Sequence, residues 1–156
     1  MRRRVSAVRA AQRELEVLRE VAEGDGPVTE RLATAVEAFA RRALAGPVLA
    51  YAQMAEPVDA RVDEERLRLR RGYRDVFAGL LREGIASGEL PAQDVDTTAA
   101  GLTGAIGEAL VGPLHARAGR RNEALVASLV QFCLVAIHTR EESPHGRDAA
   151  RRRLHA

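Results

Sequence analysis

The stretch GLTGAIGEALVGP, residues 101–113, repeats glycine at every third position, at Gly101, Gly104 and Gly107, inside a segment with helical spacing of apolar residues. Glycine weakens an α-helix by about 1 kcal/mol relative to alanine, so the repetition needs a physical reason. The glycines either form a phosphate-binding loop, as in a nucleotide enzyme, or give a helix a smooth packing face, as in a helical binding protein. The choice between these interpretations decides the fold class.

The sequence around this stretch does not support a phosphate-binding loop. A dinucleotide-binding loop has the spacing G-x-G-x-x-G directly after a buried strand, whereas this chain has G-x-x-G-x-x-G with no strand pattern before it. A Walker loop needs a lysine, and the chain contains none. Asp94 and Asp96 would also place negative charge next to a phosphate. We therefore predict a helix over 95–112, with Asp94 as its N-cap.

The predicted helix has two different faces when its residues are placed at 100° intervals. Leu102, Ile106 and Leu110 share a bulky face that suits the protomer core, while the small residues opposite allow another backbone to approach closely. A helix predicted over 122–139 is apolar on more than one side and is the expected neighbour. Two such helices from each of two subunits are expected to form a four-helix bundle at a dimer interface. The residues assigned to this interface are Ala100, Gly101, Gly104, Ala105, Glu108, Leu125, Leu129 and Phe132.

The remaining sequence predicts an all-α domain. Breaks rich in glycine and proline separate segments of helical period, and no segment alternates apolar and polar residues as a half-buried strand does. Further helices are predicted over 3–22, 27–45, 47–55 and 58–86, with Asp25 as a possible cap of the second of these. The prediction is one domain of six helices in an orthogonal, bundle-like arrangement, which suits a chain of 156 residues.

Charge and composition narrow the functional classes. The formal net charge is +2, yet residues 1–13 carry five arginines and no acid, and residues 144–156 carry four arginines and one acid, so the middle of the chain is acidic. An acidic body is a poor nucleic-acid surface, and the basic ends are either solvated termini or phosphate contacts. The single Cys133 excludes an internal disulfide framework. A single cysteine also fits a reducing cytoplasm, where we expect the protein to be, and no apolar run reaches the length of about 18 residues that a membrane span needs.

The sequence shows no pattern typical of catalysis or metal binding. The histidines lie at positions 115, 138, 145 and 155, outside any HExxH pattern, and no G-x-S-x-G is present. Cys133 lies in an apolar helix and is interpreted as a small buried hydrophobic side chain rather than a nucleophile. We therefore predict a protein that is not an enzyme, with no catalytic residues, no metal and no cofactor.

Aromatic residues are concentrated in the second, third and fourth predicted helices, which contain four of the five aromatic side chains. They form either an ordinary core or an apolar ligand pocket with a few polar contacts. In the pocket interpretation Tyr51, Gln53 and Tyr73 supply those polar contacts. The residues assigned to ligand binding are Phe39, Tyr51, Gln53, Met54, Tyr73, Phe77, Leu102 and Ile106.

Residues 12–140 resemble the C-terminal regulatory domain of TetR/AcrR-family transcriptional repressors. The resemblance is carried by AGPVLAYAQMAEP (45–57), LLREGIASGELPAQD (80–94) and LVASLVQFCLVAI (125–137). It implies a TetR-type all-helical domain that binds a small apolar or amphipathic effector and forms a homodimer through its last two long helices. Residues 1–22 then resemble the helix that connects to a DNA reader, and 23–140 the ligand-binding and dimerisation domain. Residues 141–156 are polar, and we expect them to form a disordered Arg-rich tail.

The resemblance does not extend to a helix-turn-helix, so operator DNA is expected to be bound only through an upstream reader absent from this chain. Three explanations are open: a start codon upstream of Met1, a truncated gene, or a stand-alone protein. The last explanation gives the alternative function, a helical interaction protein that forms heterodimers with full-length TetR-like regulators. The effector, the target genes and the choice between repression and activation are left open by the sequence.

Overall fold

The computed structural model describes residues 2–47, 50, 60–116 and 122–138, and the account below concerns these residues. They form five α-helices and no strand: α1 (Arg2–Ala22), α2 (Val28–Ala45), α3 (Ala60–Ser87), α4 (Val95–Ala116) and α5 (Asn122–His138). Side chains are described in α1 at Arg9 and from Ala11 onward, in α3 from Glu64 and in α4 as far as Leu114. The predicted all-α fold class is confirmed.

Four of the six predicted helices match observed helices to within two residues at both ends, and the glycine-rich helix matches at its start. The predicted helix over 47–55 lies mostly outside the described residues, although Pro47 and Ala50 are helical and the N–H of Ala50 donates to the carbonyl of Gly46 at 3.0 Å. The predicted end of the glycine-rich helix at 112 was wrong, because α4 continues through Pro113 to Ala116. Leu114 is buried in this last turn, and its packing stabilises a helix that a proline would otherwise end.

The central element is α2, which packs against each of the other four helices. The apolar residues of its inner face recur at helical spacing, and two of them, Leu32 and Val36, are completely buried. Burial of a side chain of this size contributes about 1.5–3 kcal/mol relative to exposure. The amphipathic pattern of this one helix therefore organises the core of the domain.

The N-terminus of α2 is capped by a residue from a distant loop. The carboxylate of Glu89, in the turn after α3, accepts hydrogen bonds from the N–H of Val28 at 2.7 Å and from the N–H and hydroxyl of Thr29 at 2.8 and 2.6 Å. These bonds from Thr29 hold the pKa of Glu89 below its usual value. Gly88 has a φ of +79°, which turns the chain at the end of α3. The predicted cap Asp25 was wrong, because Pro27 occupies the N-cap position and makes no side-chain cap bond.

Arg31 fixes the C-terminal end of α1. Its side chain is buried, and it donates to the carbonyls of Ala22 at 2.5 Å and Gly26 at 3.1 Å and to the carboxylate of Glu83. A buried guanidinium needs such partners because its unpaired donors would be costly. This arginine joins α1, the loop that follows it, α2 and α3 at one end of the domain.

Candidate ligand cavity and dimer surface

A cavity of about 240 Å³ lies between α1, α3 and α4, with one residue of α2 in its wall. Helix α1 contributes Ala11 and Leu18, and α2 contributes Phe39. The wall formed by α3 consists of Arg66, Leu67, Leu69, Arg70, Tyr73 and Phe77. The wall formed by α4 consists of Thr103, Gly104, Ile106, Gly107, Glu108 and Val111.

The inner part of the cavity is aromatic and apolar. The rings of Phe39 and Tyr73 meet edge-on, with their centroids 5.2 Å apart and their planes at 77°. Phe77 and Ile106 are almost completely buried beside them. Walls of this kind, with a few polar groups, are typical of small-molecule sites.

Four of the eight residues assigned to ligand binding, Phe39, Tyr73, Phe77 and Ile106, line this cavity. Leu102 lies in the protomer core, where it is 2% exposed, and it is not among the lining residues. Tyr51, Gln53 and Met54 lie outside the described residues.

A charged end of the cavity was missed by the sequence prediction. Arg66 and Arg70 lie one turn apart on α3, on the same face as Tyr73, and Glu108 of α4 is the acidic lining residue near them. Arg82 near the end of α3 pairs with Asp96 at the start of α4 at 3.4 Å, so the two helices run antiparallel. Early residues of α3 therefore lie level with late residues of α4. Helical spacing from Tyr73 back to the two arginines was the signal that would have found them.

A buried carboxyl group lies on the α1 side of the cavity. Glu14 follows Ala11 and precedes Leu18 on the same face of α1, and its Oε1 atom is buried with no hydrogen-bond partner among the described residues. Burial raises the pKa of Glu14 to about 7, and the positive charge of Arg42 opposes that rise. Because exposed and buried glutamates look alike in a local pattern, the sequence prediction did not find Glu14.

The hydroxyl of Tyr73 connects the cavity wall to α1. It donates to the carbonyl of Ala11 over 3.4 Å, which is a long and weak hydrogen bond. Burial raises the pKa of Tyr73, and the negative charge of Glu14 adds to that rise. The phenol therefore stays protonated and remains a donor.

Close to the cavity, α1 and α3 are in close contact where Leu15 packs on Gly72. A Cβ added at Gly72 would lie 2.5 Å from Cδ2 of Leu15. Glycine at this position permits the close approach of the two helices. The contact holds α1 against α3 at this level of the two helices.

The small-residue face of α4 is open in the protomer. Ala100 and Gly101 are exposed, and Gly104 and Ala105 are half-buried. Among the described residues, no atom outside the helix lies within 4 Å of a Cβ built at Gly101, Gly104 or Gly107. Gly104 and Glu108, which were assigned to the dimer interface, also line the cavity, so cavity and open face adjoin along one helix.

Helix α5 presents apolar side chains on its outer side. Phe132 is 54% exposed and Val135 is 57% exposed, while Leu125 is half-buried. Leu129, which was also assigned to the interface, is 5% exposed and packs in the protomer core, so it has little surface left for a second subunit. Cys133 is fully buried, and burial raises the pKa of its thiol to about 11.

Neither a metal-binding cluster nor a membrane-spanning helix occurs in the described part of the chain. It contains no group of three or more His, Cys, Asp or Glu side chains arranged to hold a metal ion. In the same residues, every helix is too short or too polar to cross a membrane.

The described part of the chain is thus an all-helical domain with a cavity and an adjoining small-residue face. The family described as tetracyclin repressor-like, C-terminal domain, matches residues 25–109, which is more than half of the chain. The chain therefore belongs to the TetR family of transcriptional regulators and contains its C-terminal regulatory domain. No curated protein matches the sequence significantly.

Solved structures of transcriptional regulators share the fold. FadR from Bacillus subtilis, solved in complex with stearoyl-CoA, has a TM-score of 0.74 at 20% identity, covering 87% of this chain and 75% of that chain. FadR from Bacillus halodurans has a TM-score of 0.72 at 18% identity, covering 85% and 73%. A TetR/AcrR-family regulator from Thermobifida fusca has a TM-score of 0.65 at 24% identity, covering 84% and 68%. At these identities the likeness is one of fold.

Proposed function

We propose that this chain is the effector-binding and dimerisation portion of a TetR-like transcriptional regulator, in which a small molecule changes the geometry of a homodimer. One observation carries the proposal. The cavity touches both α1, the helix that we expect to connect to a DNA reader, and α4, whose open face we expect to meet a second subunit. The role is one of binding rather than catalysis, and we place it in the cytoplasm.

The effector occupies the cavity beside Phe39, Tyr73 and Phe77. Apolar walls with a charged end favour an amphipathic molecule over a wholly polar one. The Bacillus subtilis FadR structure, which has the same fold, contains stearoyl-CoA, and this amphipathic ligand supports the same class here.

Effector binding acts on α1 because the ligand lies against Ala11 and Leu18. Arg31 fixes the C-terminal end of the helix, and Leu15 rests on Gly72. A ligand that moves Ala11 therefore tilts the N-terminal part of α1 about these fixed contacts. Binding couples to the tilt only if the ligand binds the two arrangements with unequal affinity. The tilt changes the spacing of two DNA readers and hence their fit to operator half-sites.

The dimer forms through α4 and α5. The glycine face of α4 allows close approach, and Phe132 and Val135 of α5 supply apolar area beside it. An isologous contact of two helices from each subunit gives the proposed four-helix bundle. The interface assignments of Gly101, Ala105, Leu125 and Phe132 are part of this proposal.

Light scattering coupled to size exclusion tests the dimer. We expect a dimer at micromolar concentration for the natural sequence, and a dimer Kd raised about tenfold or more by Gly101→Leu, because overpacking costs about 1–3 kcal/mol. Gly101 does not line the cavity, so this variant leaves the proposed ligand site intact. The matched control is Gly79→Leu on α3, where an exposed glycine also has no atom within 4 Å of its added Cβ in the described structure. A monomeric natural sequence, or equal Kd values for both variants, would contradict the proposal.

A further inference from the structure

The two ends of the cavity differ in charge. Arg66 and Arg70 lie at one end on α3, and Phe77 lies toward the other end, about 16 Å from Arg66 along the helix axis. Glu108 is the acidic lining residue at the arginine end. A molecule that fills the cavity therefore meets an end lined by guanidinium groups and an apolar end.

Guanidinium groups favour one chemical class of head group. Arginine presents its N–H donors in a planar fork that matches the two oxygens of a carboxylate. Arg70 is exposed, so it reaches a bound anion without first being taken out of water.

The charge of Glu14 sets the orientation of such a molecule. This carboxylate acts electrostatically on Tyr73, in the middle of the cavity wall. An anion placed near Tyr73 would meet a like charge, whereas an anion placed between Arg66 and Arg70 meets opposite charges. The carboxylate is therefore directed to the arginine end and the apolar part to the aromatic end.

The volume sets the size of the ligand. An apolar cavity of about 150 Å³ accommodates benzene, which has six non-hydrogen atoms. By proportion, the cavity of about 240 Å³ accommodates roughly ten non-hydrogen atoms. A straight-chain acid of eight carbons, with its two oxygens, has this size.

We propose that the cavity binds a monocarboxylic acid with an apolar body of about eight carbons, its carboxylate between Arg66 and Arg70 and its chain against Leu18, Phe77 and Ile106. The inference rests on the proposed function, since it takes the cavity as the effector site. It goes further by specifying the charge, the size and the orientation of the effector.

Calorimetric titration with three matched probes tests the inference at pH 8. The probes are octanoate, octanol and octylammonium, which share one chain and differ in head group. We expect octanoate to bind about tenfold more tightly than octanol, because a charge-assisted hydrogen bond distinguishes them, and octylammonium to bind most weakly. We expect Arg70→Gln to abolish the preference for octanoate while octanol still binds. Arg74→Gln is the control, since Arg74 is an exposed arginine on α3 that does not line the cavity.

The outcomes separate this inference from the proposed function. Octanol binding as tightly as octanoate, or Arg70→Gln leaving the affinity for octanoate unchanged, overturns the carboxylate assignment while the cavity stands as an apolar ligand site. Failure of all three probes to bind contradicts the cavity as a site for amphipathic effectors and the inference with it. Octanol affinity in Arg70→Gln reports whether the cavity of that variant is intact.

Discussion

The ring of Phe39 meets the ring of Tyr73 edge-on at 5.2 Å, and the same tyrosine reaches the backbone of Ala11 through its hydroxyl. Phe39 belongs to α2, Tyr73 to α3 and Ala11 to α1. One aromatic pair thus joins the central helix, the cavity wall and the helix that we expect to carry the effector signal.

Replacing Tyr73 tests whether the ring contact with Phe39 or the hydrogen bond of the hydroxyl to Ala11 contributes more to stability. We expect Tyr73→Leu to lower the free energy of unfolding by about 1–3 kcal/mol, because the edge-on aromatic contact and buried area are lost. Tyr73→Phe keeps the ring and loses only the 3.4 Å hydrogen bond, so we expect a loss of less than about 1 kcal/mol. Urea unfolding measures both variants. Equal losses would show that the ring pair with Phe39 contributes nothing specific.

Glu14 makes stability depend on pH. The pKa of Glu14 is about 7 in the folded chain and 4.5 in the unfolded chain. Between these pH values the folded state therefore binds more protons than the unfolded state does. The contribution of Glu14 to stability is therefore fully present below pH 4.5 and is lost as the pH rises through 7, by an amount on the order of 3 kcal/mol. We expect Glu14→Gln to raise the melting temperature at pH 8 and to leave it nearly unchanged at pH 4.

The control for this effect is Glu16→Gln, an exposed glutamate two positions further along α1. It should leave the difference in melting temperature between pH 4 and pH 8 as it is in the natural sequence. If Glu14→Gln is no more stable than the natural sequence at pH 8, the carboxyl group carries no burial penalty.

Alanine variants of Glu89 and Asp25 test which of the two residues caps the N-terminus of α2, the distant Glu89 or the local Asp25. We expect Glu89→Ala to destabilise the domain by about 0.5–2 kcal/mol, since the N-terminus of α2 loses the acceptor for two backbone N–H groups. Asp25→Ala should change the unfolding free energy by less than about 0.5 kcal/mol, because this exposed residue is not the cap. Chemical denaturation of both variants decides the matter, and the reverse order of effects would restore the local cap.

Gly72 and Gly79 lie on the same helix, so alanine variants at the two positions distinguish the effect of close packing from that of helix propensity. Alanine at Gly79 meets open space, so Gly79→Ala should stabilise α3 by up to about 1 kcal/mol. At Gly72 the added Cβ lies 2.5 Å from Leu15, so we expect Gly72→Ala to destabilise the domain despite its better propensity. Adding Leu15→Ala should reduce that loss in a double-mutant cycle of unfolding free energies. Stabilisation by both alanines would show that α1 and α3 are not closely packed at Leu15.

The sequence predicted what depends on local pattern. Apolar spacing located Leu32, Val36 and the bulky face of α4, and the Asp94 cap is confirmed by the N–H of Thr97, which donates to its Oδ1 at 2.9 Å. The helix start at Val28 was also predicted closely, but its cap was not, because Glu89 is 61 positions away in the sequence. Pairings at this separation depend on tertiary packing, which a local pattern does not contain.

The candidate site was predicted only in part for the same reason. Aromatic residues at helical spacing indicated Phe39, Tyr73 and Phe77, since apolar side chains concentrate inside. Arg66 and Arg70 look like solvated arginines in a sequence rich in them, and only the antiparallel packing of α3 and α4 brings them to the cavity. Gly104 was assigned to the dimer interface from helix geometry, which cannot show that the same face adjoins a cavity.

The distance between the two α1 helices of the dimer tests the central claim most directly. A spin label at Arg9→Cys, an exposed position on α1, reports this distance by pulsed electron resonance, and buried Cys133 stays unlabelled. With saturating octanoate or octanol, whichever binds, we expect the distance distribution to shift. It should not shift in Gly107→Leu, whose added side chain competes with the ligand for part of the cavity. An unchanged distance with calorimetrically demonstrated binding would contradict the account.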